Sequence, residues 1–190
     1  MINEKKRNPS VVIIGAGMTG ILMTIKLREA GITDITIIEK KGNVGGTWRE
    51  NTYPGVACDV PAHLYTYQIE HNPDYSNRFA YGAEIQEYFE RVSRKYGVTE
   101  KVLFNEAVFD ARYNRGKWTV KTSKNTTLVV DFVVCATGPL HHPVKPQFEG
   151  MQEFKGSVFH TAEWDHSIDL EGKRVGIIGT GSTSVQVVSE

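Results

Sequence analysis

Four β-branched residues, Val11-Val12-Ile13-Ile14, run into Gly15, and apolar positions Met18, Ile21, Leu22, Ile25 and Leu27 follow at mostly helical spacing. The unbroken apolar run predicts a buried strand. The spacing after it predicts a helix that Gly31 is placed to end in a left-handed cap. A second strand is expected in "DITIIEK". Strand, glycine turn, helix and strand in close succession form the unit that joins parallel strands by a right-handed crossover.

From Lys40 to Arg78 the chain is rich in Gly, Pro, Asn and aromatics and has no sustained period, which predicts a long ordered loop with short turns. Ile85, Tyr88, Phe89, Val92 and Tyr96 then fall at i, i+3, i+4, i+7 and i+11, the stripe of an amphipathic helix closed by Gly97. "EAVFDARYNRGKWTVKTS" holds two β-prone runs about a turn at Asn114 to Gly116, and "TTLVVDFVVCATG" predicts one more strand that breaks at Gly138. This pattern is a small antiparallel excursion followed by a return to the main sheet. Pro139 to Gly150 has the composition of a connector, and "KRVGIIGTGSTS" restarts a strand and glycine turn. The chain thus divides into residues 1–138, 139–172 and 173–190.

Composition changes this picture little. Of 190 residues 40% are apolar and 23% charged, and 22 basic side chains balance 22 acidic ones, so no global field favours nucleic acid or an anionic membrane. A neutral balance points to a small-molecule partner. "MINEKKRNPS" is charged, but the apolar run Val11 to Ile14 is too short for a signal-peptide core or a membrane span, so the chain reads as cytoplasmic. Cys58 and Cys135 stand far apart without metal-type spacing, which favours two buried free thiols over a disulfide. "NTT" at 125–127 matches a glycosylation acceptor that a cytoplasmic protein does not use.

The candidate chemistry begins at Gly15-Ala16-Gly17-Met18-Thr19-Gly20, which fits G-x-G-x-x-G. Its glycines suit a tight turn, close approach of a pyrophosphate to backbone, and helix-strand contact. Free amides and the positive dipole end of the helix then form an anion site without Lys or Arg. Glu39, nineteen positions past Gly20 at the end of the second strand, can accept ribose hydroxyls and would repel a 2'-phosphate. The first site should therefore hold FAD or NAD rather than NADP. The alternative for Glu39 is a solvated charge at a strand end.

Two longer strings extend the pattern. "GGTWRENTYPGVACD" carries Gly46, Trp48, Tyr53, Pro54, Gly55 and Asp59, and "FKGSVFHTAEWD" places Phe154, Gly156, His160, Trp164 and Asp165 in F-x-G-x-x-x-H-x-x-x-W-[P/D]. Flanked by two glycine turns, these strings resemble the Baeyer-Villiger monooxygenases, a branch of the class B flavin-dependent monooxygenases. The resemblance runs from Val11 to Val188. Trp164 separates this branch from the related sulfur- and nitrogen-oxidising enzymes, which usually carry Phe or Tyr there. The paired redox cysteines of the disulfide-reductase flavoproteins are not in the sequence.

The resemblance implies an α/β, Rossmann-like fold with two dinucleotide-binding domains. The chain would supply the first part of a discontinuous FAD domain over 1–138, a connector over 139–172, and the start of a truncated NADPH domain over 173–190. It implies reduction of FAD by NADPH, formation of a flavin C4a-peroxide with O2, and insertion of one oxygen atom into a ketone to give an ester or lactone. Gly15, Gly17, Gly20 and Glu39 would hold the ADP half of FAD; Gly46, Thr47, Trp48, Arg49 and Tyr65 would line the flavin side. Asp59 would be the catalytic carboxylate that orients an Arg outside this sequence, the alternative being a turn-capping carboxylate in "CDVP".

Gly179, Gly181 and Ser184 would form the NADPH fingerprint, with Ser184 in place of the last glycine. His160 and Trp164 would be hinge residues, with an ordinary loop histidine as the alternative for His160. His141 and His142 read as loop residues rather than metal ligands. Two further functions stay open: oxygenation of sulfides or amines, and a non-catalytic dinucleotide-binding fragment whose open sheet edge would make it unstable alone.

Overall fold

β1 (Val11–Ile14) is a short parallel strand whose β-branched side chains are almost wholly buried, as expected of a strand covered on both faces. The computed structural model describes residues 8–190, so most of the charged leading stretch lies outside the described residues. α1 (Met18–Glu29) follows, and its last turn closes where the amides of Gly31 and Ile32 donate back to the carbonyls of Arg28 and Leu27. β2 (Ile35–Glu39) returns parallel to β1, with Val11 opposite Ile35 and Ile14 opposite Ile38.

The chain divides into two compact units, one comprising residues up to Gly46 with Glu87–Pro139, the other Thr47–Gln86 with Leu140–Glu190. The division falls inside the 14-residue helix α3 (Gly82–Lys95), which follows the single turn α2 (Thr47–Glu50). The residues Ile85, Tyr88, Phe89 and Val92 of α3 are buried, which matches the apolar stripe in the sequence.

The first unit holds both sheets. β3 (Val102–Phe104), a strand that sequence analysis did not foresee, adds parallel to β2 as an edge. β4 (Val108–Asn114) and β5 (Lys117–Thr122) form the hairpin, paired from Asn114 opposite Lys117, and β6 (Thr127–Val130) extends it to three antiparallel strands. β7 (Phe132–Cys135) then pairs parallel with β1, completing the order β3-β2-β1-β7. Val12 and Ile38 of the parallel sheet share a buried cluster with Val120 and Val130 of the antiparallel one. The excursion is therefore packed on the main sheet, and burying each such aliphatic side chain contributes about 1.5–3 kcal/mol.

Two expectations need correction in this unit. "TTLVVDFVVC" is two strands in two sheets, not one, because Asp131 turns the chain out of one ladder and into the other. Its carboxylate accepts from the Ser10 amide at 2.9 Å, the Ser10 hydroxyl at 2.8 Å and the Lys117 ammonium, while its own amide donates to the Ser10 carbonyl at 3.0 Å. Cys135 is exposed rather than buried, since it ends the edge strand β7; Cys58 is buried, and both thiols are free.

The second unit has little regular structure. Ala57 and Tyr81 form an antiparallel bridge, and the Cys58 and Gly82 amides donate to the Ala80 and Val56 carbonyls at 3.0 and 2.8 Å. Tyr53, Cys58, Ala62, Tyr67 and Ala80 are buried there, so the long loop is ordered by its own side chains. α4 (Ser182–Val188) ends the unit. The strand expected before it does not form: residues 174–178 pair with no other segment among the described residues, and Val175 and Ile178 are exposed. A parallel strand exists only beside a neighbour, and this unit has no parallel sheet for it to join.

Lys117 and the two Ser10 donors hold the Asp131 carboxyl well below its ordinary value of 3.8. A depressed folded-state value means stability that is present above that ordinary value and is lost as pH falls through the lower one. We expect the thermal midpoint of the protein to drop as pH is taken below 3.8, with part of this drop missing in Asp131→Asn. Parallel circular-dichroism melts of the two proteins from pH 6 to pH 2 check this, and superimposable pH profiles would refute it.

Candidate functional site

The first glycine turn is built by contacts that exclude any side chain. Gly15 takes φ +102 while its amide donates to the Ile38 carbonyl at 2.8 Å, and a Cβ there would lie 2.6 Å from the Ala136 carbonyl oxygen. At Gly20 a Cβ would lie 2.0 Å from the Gly15 carbonyl oxygen, so the first turn of α1 sits directly on the loop. Gly46 approaches from the chain beyond β2, where a Cβ would be 3.1 Å from the Gly17 Cα, and the Gly45 amide donates to the Ala16 carbonyl at 3.0 Å. Gly15, Gly17, Gly20 and Gly46 thus gather in the first unit.

Glu39 joins them in a way that sequence reasoning missed. Its side chain is 5% exposed, not a solvated charge, and its two oxygens accept from the Ala16 and Lys41 amides, each at 2.9 Å. The carboxylate is a structural tie between turn and strand end. The position of Glu39 at the end of an apolar strand was a visible signal of proximity, but the acceptor role toward backbone was not. At the head of α1 no side chain caps the helix and its first turn carries no acidic residue. An uncapped helix end, approached closely by glycine backbone, fits the diphosphate of a dinucleotide.

The remaining candidates lie in the second unit. α2 carries Thr47, exposed, and Trp48 and Arg49, half-buried. Trp48 meets Tyr65 edge to face, with ring centroids 5.0 Å apart, and Arg49 pairs with Glu50 at 3.1 Å. Burial pushes the Tyr65 phenol up, and the negative charge of Asp59 and the Cys58 thiol add to this. Burial likewise pushes up the Cys58 thiol, so it is a poor nucleophile there.

Asp59 is exposed, and its Oδ2 accepts from the Ser182 hydroxyl at 2.8 Å rather than capping its own turn. Ser182 opens α4 in the second glycine turn. That turn repeats the backbone of the first: Gly179 takes φ +129 as Gly15 takes +102, and the N-cap residues Gly181 and Gly17 are both extended at φ −79 and −81. Ser184, which stands where Gly20 does, directs its hydroxyl to the Gly181 carbonyl at 2.7 Å. Beside it, Tyr53 donates to Gln186 Oε1 at 2.9 Å and Gln186 Nε2 donates to the Ala57 carbonyl at 2.9 Å. Gln186 had no place in the sequence motifs.

The string from Phe154 to Asp165 makes local turns. The Phe154 ring lies against Gly156, where a Cβ would be 2.6 Å away; the His160 Nδ1 accepts from the Ala162 amide at 3.1 Å, and Trp164 meets Phe159 edge to face at 5.1 Å. Asp165 accepts from the Ser167 amide and hydroxyl, which lowers its carboxyl below the ordinary range. His141 approaches Glu50 at 3.6 Å.

Residues 12–190 match the family described as pyridine nucleotide-disulphide oxidoreductase. An uncharacterized monooxygenase of Mycobacterium tuberculosis is 48% identical over 96% of this chain and 37% of its own length. A Baeyer-Villiger monooxygenase of Streptomyces coelicolor is 42% identical over 94% of this chain and 34% of its own. Among solved structures, OTEMO in complex with FAD and NADP superposes with a TM-score of 0.86 at 34% identity, covering 96% of this chain and 37% of that one. The chain thus spans about a third of the length of these relatives. The motif resemblance and the Rossmann-like fold both stand on these matches.

Alanine ordinarily stabilises a helix by about 1 kcal/mol over glycine. At Gly20 the clash with the Gly15 carbonyl reverses the sign, and we expect Gly20→Ala to lose about 1–3 kcal/mol net. A urea midpoint equal to or above that of the unaltered protein would contradict this packing.

Proposed function

The chain belongs to the pyridine nucleotide-disulphide oxidoreductase family, and from that premise we propose that the protein is an FAD- and NADPH-dependent monooxygenase of the Baeyer-Villiger type. In the overall reaction a ketone, O2, NADPH and a proton give an ester or lactone, NADP+ and water, one oxygen atom entering a C–C bond. The observation that carries this reading is the pair of glycine turns with matching backbone at the heads of α1 and α4, one for each dinucleotide. The M. tuberculosis and S. coelicolor relatives are named monooxygenases, and the OTEMO structure holds both FAD and NADP, which supports the assignment of the two cofactors.

FAD, when bound, supplies the electron transfer and oxygen activation. The residues of this chain do the rest of the work by position. The amides at the head of α1 take the FAD diphosphate, with Gly15, Gly17 and Gly20 allowing the close approach. Glu39 orients the adenosine ribose from its fixed place at the end of β2. Gly46, Thr47, Trp48, Arg49 and Tyr65 border the flavin, where the aromatic pair Trp48 and Tyr65 keeps water out. Asp59 is the catalytic carboxylate and would orient a cationic partner, an arginine in the enzymes its motif resembles, that stabilises developing negative charge.

Gly179, Gly181 and Ser184 take the NADPH diphosphate. His160 and Trp164 act as hinge residues of the connector, where His160 caps the short turn Thr161–Glu163 and Trp164 packs on Phe159. Two free thiols suit a reducing, cytoplasmic setting. Among the described residues no helix is long and apolar enough to cross a membrane.

The full-length protein should purify yellow, release FAD on denaturation, and consume NADPH and O2 faster when a ketone is added, with the ester recovered as product. Asp59→Ala should retain FAD and lose kcat by about 10²–10³-fold. Gas chromatography of products from a panel of cyclic ketones, sulfides and tertiary amines decides the substrate class. A colourless protein defeats the whole reading, whereas oxygenation of sulfides or amines without ester formation would defeat the ketone assignment alone.

A further inference from the structure

Tyr53 lies in the loop string but has no role in the reading above, although its side chain is 7% exposed and its hydroxyl is fully engaged. Its Oη donates to Gln186 Oε1 at 2.9 Å and stands 3.4 Å from the Thr183 hydroxyl. Gln186 passes the connection back to the same loop, its Nε2 donating to the Ala57 carbonyl. Gly55 completes the contact by close approach: a Cβ there would lie 2.8 Å from the Gln186 carbonyl oxygen. Together with the Asp59 to Ser182 hydrogen bond, four positions of the 53–59 loop grip α4, all within one unit.

Gly15 is held by a backbone contact to the β2 carbonyl of Ile38, whereas α4 is joined to the 53–59 loop by side-chain hydrogen bonds. These hydrogen bonds tie α4 to the loop within this unit.

We propose that Tyr53 and Gln186 are positioning residues that fix the second glycine turn against the loop bearing Asp59, so that the seat of the nicotinamide cofactor and the flavin-side carboxylate are set by one element. The inference rests on the functional reading above for the identity of the cofactor. Tyr53 acts through Gln186, because its hydroxyl orients the amide whose other end bonds Ala57. Loss of either group loosens the tie between α4 and the loop while leaving the first glycine turn and its FAD unchanged.

The test uses the full-length flavoprotein and its Tyr53→Phe, Gln186→Met and double variants. FAD content and the visible flavin spectrum should match those of the unaltered protein. The dissociation constant for NADP+, measured by calorimetry, should rise about fivefold in each single variant, the factor for one lost hydrogen bond. The double variant should bind no more weakly than Gln186→Met, since the two residues form one connected pair.

Deuterium exchange of the amides of residues 182–188, recorded without NADP+, should be faster in Tyr53→Phe. Unchanged NADP+ affinity and exchange, or additive losses in the double variant, would overturn the proposal. If Gln186→Met fails to fold, Tyr53→Phe decides alone through exchange and affinity. An unaltered protein that takes up no NADP+ would instead refute the functional reading, and the exchange measurement would still decide whether Tyr53 holds α4.

Discussion

The carboxylate of Glu39 is the point at which strand, turn and outgoing chain are made to agree. A buried charge is costly unless hydrogen-bonded, and this one accepts an amide on each oxygen, Ala16 on one side and Lys41 on the other. The first amide belongs to the glycine turn and the second to the chain leaving β2. Both of its oxygens act as acceptors here, and they favour the turn geometry that presents these amides. Gly15, Gly20 and Gly46 then close in because nothing projects from their backbones.

The two glycine turns share a backbone and differ in the contacts made around them. The first is embedded in the sheet, with the Gly15 amide on β2, the Ala136 carbonyl against Gly15, and Gly20 stacked on the loop. Around the second, Ser182 and Gln186 tie α4 to an aromatic loop. Turn conformation is thus a local property of the G-x-G sequence, whereas rigidity comes from whatever packs around it.

Strong local patterns were legible in the sequence. The apolar run of β1, the stripe of α3 and the hairpin about Arg115 were each visible because one period, or one turn, decides them. What could not be read depended on partners distant in sequence. β3 has three residues and is a strand only because β2 offers an edge; "TTLVVDFVVC" splits because Ser10 and Lys117 capture Asp131; 174–178 looks like a strand but has no ladder to join. The site followed the same rule. The glycines were recognisable by spacing, but the ties of Glu39 to Ala16, of Asp59 to Ser182 and of Tyr53 to Gln186 cross 23, 123 and 133 positions and leave no periodic trace.

The hand-over at Asp131 also bears on how this fold tolerates change. Within one residue the chain leaves the antiparallel sheet and enters the parallel one, and Ser10 pins that crossing to the start of β1. The whole of β4, β5 and β6 is thereby a side branch whose return point is anchored independently of its tip. Lengthening the bend at Arg115 and Gly116, or grafting a reporter there, alters an exposed end while the register of β7 beside β1 stays fixed. The branch is where divergence between relatives, or deliberate redesign, meets the least resistance.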